Sequence, residues 1–299
     1  MMLPSLLGAA DTSLPALDRR HPRRWDGGMA WDPTQYTKFI SQRERPFHEL
    51  LARVGATAPG TVLDVGCGPG TATATLLQRW PSATVTGFDS SEEMIRSARP
   101  LERSTPGGGR LEFSVEDAHD VDVAQADVVV SNAMLQWIPD HRELLDHWAN
   151  DLRSGAWLAF QVPGNFDAPS HRLMRETADD GPWATALHGV LRGPESVDTP
   201  AGYASALMDS GLRVDAWETT YLQWLTGPDP VLEWVRGTGL RPALAALEER
   251  APDLLDSYVE TYTRRLREAY PSRSIGAGDE RQELTALPFR RIFVVATKP

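Results

Sequence analysis

The sequence predicts an α/β fold built on a seven-stranded, mostly parallel β-sheet with helices on both faces. From residue 60 onward, short runs of β-branched and other apolar residues alternate with stretches whose apolar residues recur at helical spacing. A glycine-rich turn separates the first strand from the first helix, and a block of helical segments precedes the last strand. Such alternation is typical of right-handed crossover connections, which place helices on both sides of a parallel sheet.

Each strand is predicted from a short apolar run that ends at glycine, proline or polar residues. Continuous apolar runs of this length are typical of strands buried on both faces. The predicted strands cover residues 61–65, 83–88, 111–115, 126–130, 157–162, 214–224 and 292–296. Helices are expected between them at residues 70–80, 91–99, 141–152, 170–179 and 200–210. Pro81 and Pro100 end the first two of these helices.

The second half of the chain departs from this regular alternation. Residues 164–200 are rich in glycine, proline and polar residues, and they are too long for a plain connection, so we expect a lid there. Residues 229–270 predict two or three helices. We therefore assign residues 29–227 and 287–299 to the sheet-bearing domain and residues 228–286 to a helical cap inserted before the last strand. An insert at this place is expected to cover the carboxyl ends of the strands.

Residues 1–28 are interpreted as a flexible leader outside the fold. They lack a long apolar stretch and contain the basic run Arg-Arg-His-Pro-Arg-Arg at 19–24. A secretory signal would place its charges before its apolar stretch, not after it. Met29 is a candidate start of translation, and a short tail with its own role is the alternative.

Composition limits the classes of partner. The formal net charge of −11 argues against a nucleic-acid backbone as the main partner, because phosphate binding needs a basic surface. No apolar run of the sequence approaches the roughly 18 residues of a membrane span, so no membrane partner is expected. Cys67 is the only cysteine, so an internal disulfide is excluded and a reducing cytoplasm is the expected location. We expect a monomer or a weak dimer that acts on a small molecule.

The sharpest motif is Asp-Val-Gly-Cys-Gly-Pro-Gly, which begins at Asp64. Gly66, Gly68 and Gly70 would let the chain turn tightly and approach a ligand, since no Cβ intervenes. The motif lacks the last glycine of a dinucleotide fingerprint, because Thr71 occupies that position, and it lacks the Gly-Lys-Ser/Thr ending of a P-loop. Asp64 could orient the loop and face a cationic ammonium group.

Acidic and polar residues also follow the next predicted strands. Asp89 ends the second strand, where its carboxylate could accept both hydroxyls of a ribose. Asp117 follows the third strand and could accept an adenine amino group beside the backbone of Ala118. Ser90 and Asn132, at the ends of the second and fourth strands, complete the expected ligand-binding set. The alternative is that these acidic residues only cap helices or turns.

The glycine loop together with Asp89 and Asp117 resembles the class I methyltransferase pattern for S-adenosylmethionine. A closer resemblance, to the trans-aconitate 2-methyltransferase family, covers almost all of residues 31–299. It is carried by the segments WDPTQY at 31–36, SNAMLQWIPDH at 131–141, TGLRP at 238–242 and FRRIFVVA at 289–296. The resemblance implies a Rossmann-like class I methyltransferase that uses S-adenosyl-L-methionine, releases S-adenosyl-L-homocysteine and forms a methyl ester on one carboxylate of trans-aconitate or a close relative. Residues 181–200 fit this family only loosely.

A carboxylate nucleophile needs no general base, because a carboxylic acid with a pKa of about 4 is already ionised at neutral pH. We therefore expect residues that position the acid and exclude water instead of an acid–base pair. Neutral donors are expected at the attacking oxygen, such as Tyr36, Gln136, Trp137 or Asn165, and the first three of these are the catalytic candidates. Histidines have no task in this chemistry, and no residues of the sequence show metal-ligand spacing.

The remaining carboxylates of a polycarboxylic acid need partners, and arginine suits them through its planar, bidentate fork. The substrate-binding candidates are Arg43, Arg45, Asn165, Arg241 and Arg291. Three alternatives stay open. The acceptor could be another carboxyl, hydroxyl or amine; the chain could sense S-adenosylmethionine without turning it over; or it could be a nicotinamide oxidoreductase, which the glycine spacing disfavours.

Overall fold

The computed structural model describes residues 40–276 and 281–299, with side chains from residue 45 onward. The α-helices of this part of the chain are α1 (Ile40–Ala52), α2 (Thr73–Arg79), α3 (Glu92–Ala98), α4 (His141–Asp151), α5 (Pro169–Asp179), α6 (Ala184–Leu187), α7 (Pro200–Asp209), α8 (Pro230–Arg236), α9 (Arg241–Arg250) and α10 (Leu255–Ala269). Short 3-10 helices cover Arg99–Leu101, Leu135–Trp137, Pro194–Ser196 and Pro252–Leu254. None of the helices described has the length and apolar character needed to cross a membrane. The predicted leader and Tyr36 lie outside the described residues.

The strands of the described residues form one mixed sheet. They are β1 (Thr61–Val65), β2 (Thr84–Asp89), β3 (Arg103–Ser104), β4 (Arg110–Val115), β5 (Val128–Asn132), β6 (Trp157–Pro163), β7 (Arg213–Thr226), β8 (Arg273–Ile275) and β9 (Gln282–Thr297). Their order is β3-β4-β2-β1-β5-β6-β9-β7, and β8 pairs with β9. The strands β4, β2, β1, β5 and β6 are mutually parallel, whereas β9 is antiparallel to β6 and β7. The predicted α/β fold class is confirmed, and the short strands β3 and β8 are additions to it.

The last strand differs most from its prediction. It covers Gln282–Thr297 instead of residues 292–296, because its first half also pairs with β7 in antiparallel orientation. This pairing begins where Leu284 faces Thr226. Residues 292–296 are buried, which gives the strong apolar signal, but the earlier half has exposed positions that weaken it. Residues 282–286, at the end of the predicted insert, lie in this strand.

Buried side chains form a core on each face of the sheet. In β1, Val62 joins the cluster that includes α1, α2 and α3, whereas Leu63 joins the cluster that includes α4 and α7. Successive side chains of a strand point to opposite faces, so a strand in which every residue is apolar needs a helical layer on both sides. Trp148 on α4 and Phe47 on α1 are among the largest fully buried side chains, one in each layer. The predicted helices on both faces are therefore confirmed.

A third core joins the predicted lid to the predicted cap. It collects buried side chains from α5, α6, α8, α9 and α10. The Tyr262 hydroxyl donates to the Ser170 carbonyl at 2.9 Å, and the Tyr270 hydroxyl accepts from the Ser170 N–H at 3.0 Å. The rings of Trp183 and Tyr258 meet edge to face with centroids 5.4 Å apart. Residues from 169 to 187 and the helices after β7 thus pack as one unit.

Candidate active site

The glycine loop between β1 and α2 adopts a backbone that glycine makes possible. Gly66 and Gly68 have φ angles of 82° and 54°, in the left-handed region that side chains disfavour. The N–H groups of Gly66 and Cys67 donate to the Phe88 carbonyl at 2.8 and 2.9 Å, which fixes the loop to the end of β2. A Cβ on Gly68 would meet no heavy atom within 4 Å, so this point of the loop faces open space. The loop is therefore tied down on one side and accessible to a ligand on the other.

Asp89 at the end of β2 bonds to the same loop. Its Oδ2 accepts from the Gly68 N–H and its Oδ1 accepts from the Ser91 N–H, both at 2.9 Å. Burial raises the pKa of Asp89 above its usual value, although these two hydrogen bonds oppose the rise. Each carboxylate oxygen keeps a further acceptor position, which suits the hydroxyl pair of a ribose. Ser90 beside it is exposed.

Asp64 lies beneath the loop and is almost completely buried, with 1% exposure. The Thr73 hydroxyl donates to its Oδ2 at 2.6 Å, while its Oδ1 is buried without a hydrogen-bond partner among the described residues. Burial raises its pKa to about 7; the Thr73 hydrogen bond opposes this rise, and the charge of Asp89 adds to it. A buried carboxylate in this state favours a cation nearby, since a positive charge would restore its ionised form.

The end of β4 carries a hydrogen-bonded group of exposed side chains. Asp117 Oδ1 accepts from the His119 N–H at 3.0 Å and lies 2.8 Å from His119 Nδ1, and His119 Nε2 lies 3.2 Å from an Asp140 oxygen. Burial lowers the pKa of His119, but the two carboxylates outweigh this and raise it above its usual value. Ala118 packs against the core beneath the sheet. These contacts hold Asp117 in a turn after β4, where it is hydrogen-bonded to His119.

The turn after β5 contains Asn132, Gln136 and Trp137. Asn132 accepts a hydrogen bond from the Gln161 amide, and Ala133 has a φ of 56°, the left-handed region that side chains rarely adopt. The Gln136 side chain donates from Nε2 to the Ala133 carbonyl at 2.5 Å, and its Oε1 is buried without a partner among the described residues. Gln136 therefore directs an amide hydrogen at its own turn in this structure, and its role as a donor to substrate stays a prediction.

Asn165, another predicted donor, bonds to the backbone of β9. Its Oδ1 accepts from the Arg290 N–H at 2.7 Å, and its Nδ2 donates to the Arg290 carbonyl at 3.0 Å. The amide thereby fixes the start of the lid segment to the sheet. Asn165 is buried, with 4% exposure. In this structure its amide therefore positions the backbone around the site, and contact with a substrate stays a prediction.

The charges of two predicted arginines, Arg45 and Arg291, both act on Tyr221. Arg45 is exposed, pairs with Glu49 at 2.7 Å and stacks 5.0 Å from the Tyr221 ring centroid. Arg291 on β9 is buried with 6% exposure and donates from Nη1 to Gln161 Oε1 at 3.0 Å. Because Gln161 also donates to Asn132, a hydrogen-bonded chain joins Arg291 to the end of β5.

Arg241 and Arg43 lie elsewhere. Arg241 is half-buried at the first position of α9, two residues after Gly239. Arg43 belongs to α1, and its side chain lies outside the described residues. Among the predicted arginines whose side chains are described, Arg291 is the one that is hydrogen-bonded to a residue at the strand ends.

Sequence reasoning missed the arginine nearest to Trp137. The Arg192 guanidinium lies 3.8 Å from the Trp137 ring centroid, and its Nη1 donates to the Gln136 carbonyl. Burial lowers the pKa of Arg192 to about 10. Arg192 falls in residues 181–200, a stretch without periodicity, so its signal was only that of a basic residue in an acidic chain.

The sheet order, with antiparallel β9 between β6 and β7, and the glycine loop at the carboxyl end of β1 define a class I methyltransferase. A family model described as a methyltransferase domain matches residues 39–216. Trans-aconitate 2-methyltransferase from Streptomyces coelicolor is 48% identical over 272 residues, which are 90% of this chain and 87% of the relative. The enzyme of that name from Rhodococcus jostii is 50% identical over 268 residues, 89% of this chain and 98% of the relative. The chain belongs to the trans-aconitate 2-methyltransferase family.

Solved structures agree on the fold. The YcgJ protein from Bacillus subtilis superposes with a TM-score of 0.51 at 12% identity, over 85% of this chain and 98% of that protein. A chain from the complex of the Haloferax volcanii Trm112 methyltransferase activator superposes with a TM-score of 0.50 at 20% identity, over 89% of this chain and 95% of that chain. Within the described part of this chain, no group of three or more His, Cys, Asp or Glu residues could hold a metal ion.

Proposed function

We propose that this protein transfers a methyl group from S-adenosyl-L-methionine to one carboxylate of trans-aconitate, forming a methyl ester and S-adenosyl-L-homocysteine. The observation that carries the proposal is the extent of the likeness. Relatives named trans-aconitate 2-methyltransferase are 48% and 50% identical to this chain over 90% and 89% of its length. One fold hosts many acceptors, so the acid itself has to be tested directly.

The donor site fits S-adenosyl-L-methionine, a cation with an adenosyl group. The partnerless Oδ1 of Asp64 favours a positive group, Asp89 has room to accept ribose hydroxyls, and the open side of Gly68 admits a ligand next to the backbone. The predicted set is Asp64, Gly66, Gly68, Gly70, Asp89, Ser90, Asp117, Ala118 and Asn132. Asp117 and Ala118 are proposed to hold the adenine, because they lie at the end of β4 beside β2.

When bound, S-adenosyl-L-methionine supplies a methyl group on a positively charged sulfur. The acid arrives ionised, since its pKa of about 4 lies far below neutral pH, so no residue has to remove a proton. Water that solvates the separated charges opposes their approach, and residues that exclude water favour the reaction. We assign this task to Trp137 and the lid segment, with Tyr36 and Gln136 as further positioning candidates. The role of Tyr36 rests on the sequence alone.

The other carboxylates of the acid are proposed to meet arginines. Arg291 is the best placed of the predicted set, because Gln161 links it to the end of β5. Arg241 and Arg43 stay candidates from the sequence, and Asn165 is proposed to support the site through β9. Arg45 is the weakest candidate, since it is exposed and already paired with Glu49.

We further propose the organisation of the chain and its setting. Residues 29–227 and 287–299 form the methyltransferase domain, and residues 228–286 form the cap, which shares a core with α5 and α6. A buried lone cysteine is compatible with a reducing cytoplasm as the location. A monomer or weak dimer that acts on a small acid, without a nucleic-acid partner, agrees with the net charge of −11.

The test is incubation of the protein with labelled methyl donor and a panel of di- and tricarboxylic acids. We expect base-labile label on trans-aconitate, as a methyl ester requires. Amines and phenols serve as control acceptors and should stay unlabelled. Label on none of the acids would overturn the proposal, and label on a different carboxyl compound would replace the acceptor while keeping the reaction.

A further inference from the structure

Five side chains of the turn after β5 and of the lid segment form what we call the lid pocket: Trp137, Phe166, His171, Arg175 and Arg192. The Arg192 guanidinium lies 3.8 Å from the Trp137 ring centroid and 5.7 Å from that of Phe166. Arg192 as a whole residue is half-buried. The hydrogen bond to the Gln136 carbonyl uses one of the five N–H donors of the guanidinium.

A second cation and a neutral ring border the same place. Arg175 Nη1 donates to the Phe166 carbonyl at 2.8 Å and to the Arg192 carbonyl at 3.3 Å. The His171 ring meets Phe166 edge to face at a centroid distance of 5.8 Å. Burial, followed by the charges of Arg175 and Arg192, lowers the pKa of His171 to about 4, so the imidazole is neutral at physiological pH.

The lid pocket has positive charge without a carboxylate, in a chain that has 41 acidic and 30 basic residues. Elsewhere arginines meet acids: Arg142 bonds to both oxygens of Asp198, and Arg267 bonds to both oxygens of Asp229. Within the residues described, neither Arg175 nor Arg192 forms an ion pair. Burial removes hydration from the Arg192 guanidinium, so an anion beside it would be stabilising.

The lid pocket adjoins the donor site. The Trp137 N–H donates to the Met134 carbonyl at 2.9 Å, and the Met134 side chain lies where a Cβ on Gly66 would be. A cap residue closes the other side, because a Cβ on Gly239 would come within 2.9 Å of His171 Nε2. The turn after β5 therefore connects the lid pocket to the glycine loop.

We propose that the lid pocket binds a carboxylate of the acid that does not receive the methyl group, with Arg192 as the main partner and Arg175 as the second. The inference deepens the proposed function and rests on it, since it requires an acceptor with more than one carboxylate. The guanidinium fork suits a planar carboxylate, and the rings of Trp137 and Phe166 form apolar walls on either side. Keeping the cations away from the glycine loop leaves the reacting oxygen unpaired and nucleophilic.

The test replaces Arg192 by methionine, which keeps the length and apolar stem but removes the charge. We expect Arg192→Met to raise the KM for trans-aconitate by about 10- to 100-fold, the loss typical of one charge-assisted bidentate contact. The Kd for the methyl donor, measured by calorimetry, should change less than about twofold because the donor does not enter the lid pocket. The matched control is Arg172→Met, an exposed arginine of α5 that pairs with Glu176 at 2.7 Å and should leave both constants unchanged.

The number of carboxylates separates binding from a structural role. Crotonate, a monocarboxylic acid, has no carboxylate besides the reacting one, so the preference of the wild type for trans-aconitate over crotonate should shrink in Arg192→Met. A residue that merely supports the fold would weaken both acids equally. Arg192→Lys, which keeps the charge, should retain part of the preference even if the methionine variant unfolds.

A binding readout distinguishes the failure of this inference from the failure of the proposed function. Tricarballylate, a saturated tricarboxylic acid, should raise the melting temperature of the wild type. The increase should be smaller in Arg192→Met and in Arg192→Lys. An unchanged KM in Arg192→Met, or an equal loss for both acids, would overturn the role of the pocket. If the wild type methylates no polycarboxylic acid, the proposed function fails. The lid pocket would still be supported if tricarballylate stabilised the wild type in an Arg192-dependent way, and it would be overturned if tricarballylate did not.

Discussion

The two sides of the turn after β5 differ in the sign of their charge. On the side of the glycine loop lie the carboxylates of Asp64 and Asp89, both with pKa values raised by burial. On the side of the lid lie Arg192 and Arg175. Neither arginine forms an ion pair with a carboxylate of the described residues. A cationic methyl donor and an anionic acceptor would each meet the opposite charge. This difference indicates that the groups that bind each ligand lie apart from the reacting atoms. Each ligand would be held by a part that does not react.

A hydrogen-bonded chain connects the two sides. Arg291 donates to Gln161, and Gln161 donates to Asn132 at the end of β5. Ser131 Oγ and Gln136 Oε1 are buried nearby without partners among the described residues, so this turn holds unused acceptors. Neither a catalytic acid nor a base is needed at the junction, because the acid arrives ionised. Exclusion of water then favours the loss of charge in the transition state.

The largest effect is expected on the donor side. Asp89→Ala removes the carboxylate that accepts from Gly68 and Ser91 and that we expect to accept ribose hydroxyls. The Kd for S-adenosyl-L-methionine should rise by about 100-fold, measured by calorimetry. Glu112→Ala, an exposed acid on the neighbouring strand that pairs with Arg110 at 3.5 Å, is the control. A Kd within about threefold of the wild type would remove Asp89 from the donor site.

A smaller effect is expected on the acceptor side. Arg291→Met should raise the KM for trans-aconitate by about tenfold and the donor Kd by much less, because we propose that the guanidinium binds a carboxylate of the acid. Steady-state kinetics with each substrate varied in turn would measure both. Arg213→Met, at an exposed position of β7, is the control. Equal increases in both constants would show that Arg291 only supports the strand ends.

A pH-dependent effect should appear in donor binding alone. Asp64 has a folded-state pKa of about 7, so below that pH it has to lose a proton when a cation binds, and above it the carboxylate is already ionised. The affinity for S-adenosyl-L-methionine should therefore increase from pH 6 to pH 8, by up to about tenfold. Asp64→Asn should bind more weakly and lose this part of the pH dependence. Identical pH profiles of the two proteins would contradict the assignment.

The smallest effect is expected for Arg45. Its guanidinium is exposed and pairs with Glu49, and exposed pairs contribute about 0–1 kcal/mol. Arg45→Met should change the KM for trans-aconitate by less than about twofold. An increase comparable to that of Arg192→Met would show that the acid binds near α1 and would break the comparison between the two sides of the turn.

Much of the fold could be predicted because its signals are local. Val129 and its neighbours Val128 and Val130 in β5 form a continuous apolar run, and such a run has few interpretations other than a strand covered on both faces. The first half of β9 could not be predicted, since its stability comes from pairing with β7 rather than from its own apolar pattern. Thr226 and Leu284 are far apart in the sequence, and nothing local marks them as partners.

The residues proposed for the methyl donor follow more directly from the sequence than those proposed for the acid, for a similar reason. Asp64 and Asp89 occur at strand ends with fixed spacing to a glycine loop, so a local motif predicts their place. Arg192 lies in a segment without periodicity, and only packing against Trp137 brings it to the site. Asn165 shows the opposite case: its predicted role was that of a donor to substrate, and both ends of its amide bond to the backbone of Arg290.

A crystal structure with S-adenosyl-L-homocysteine and trans-aconitate tests the separation of charge most directly. The account predicts that the adenosyl group contacts Asp89 and the glycine loop while a non-reacting carboxylate bonds to Arg192. It also predicts that the carboxylate nearest to the sulfur contacts no guanidinium. An acid whose carboxylates all lie away from Arg192 and Arg291, or an adenosyl group distant from residues 64–70, would contradict it.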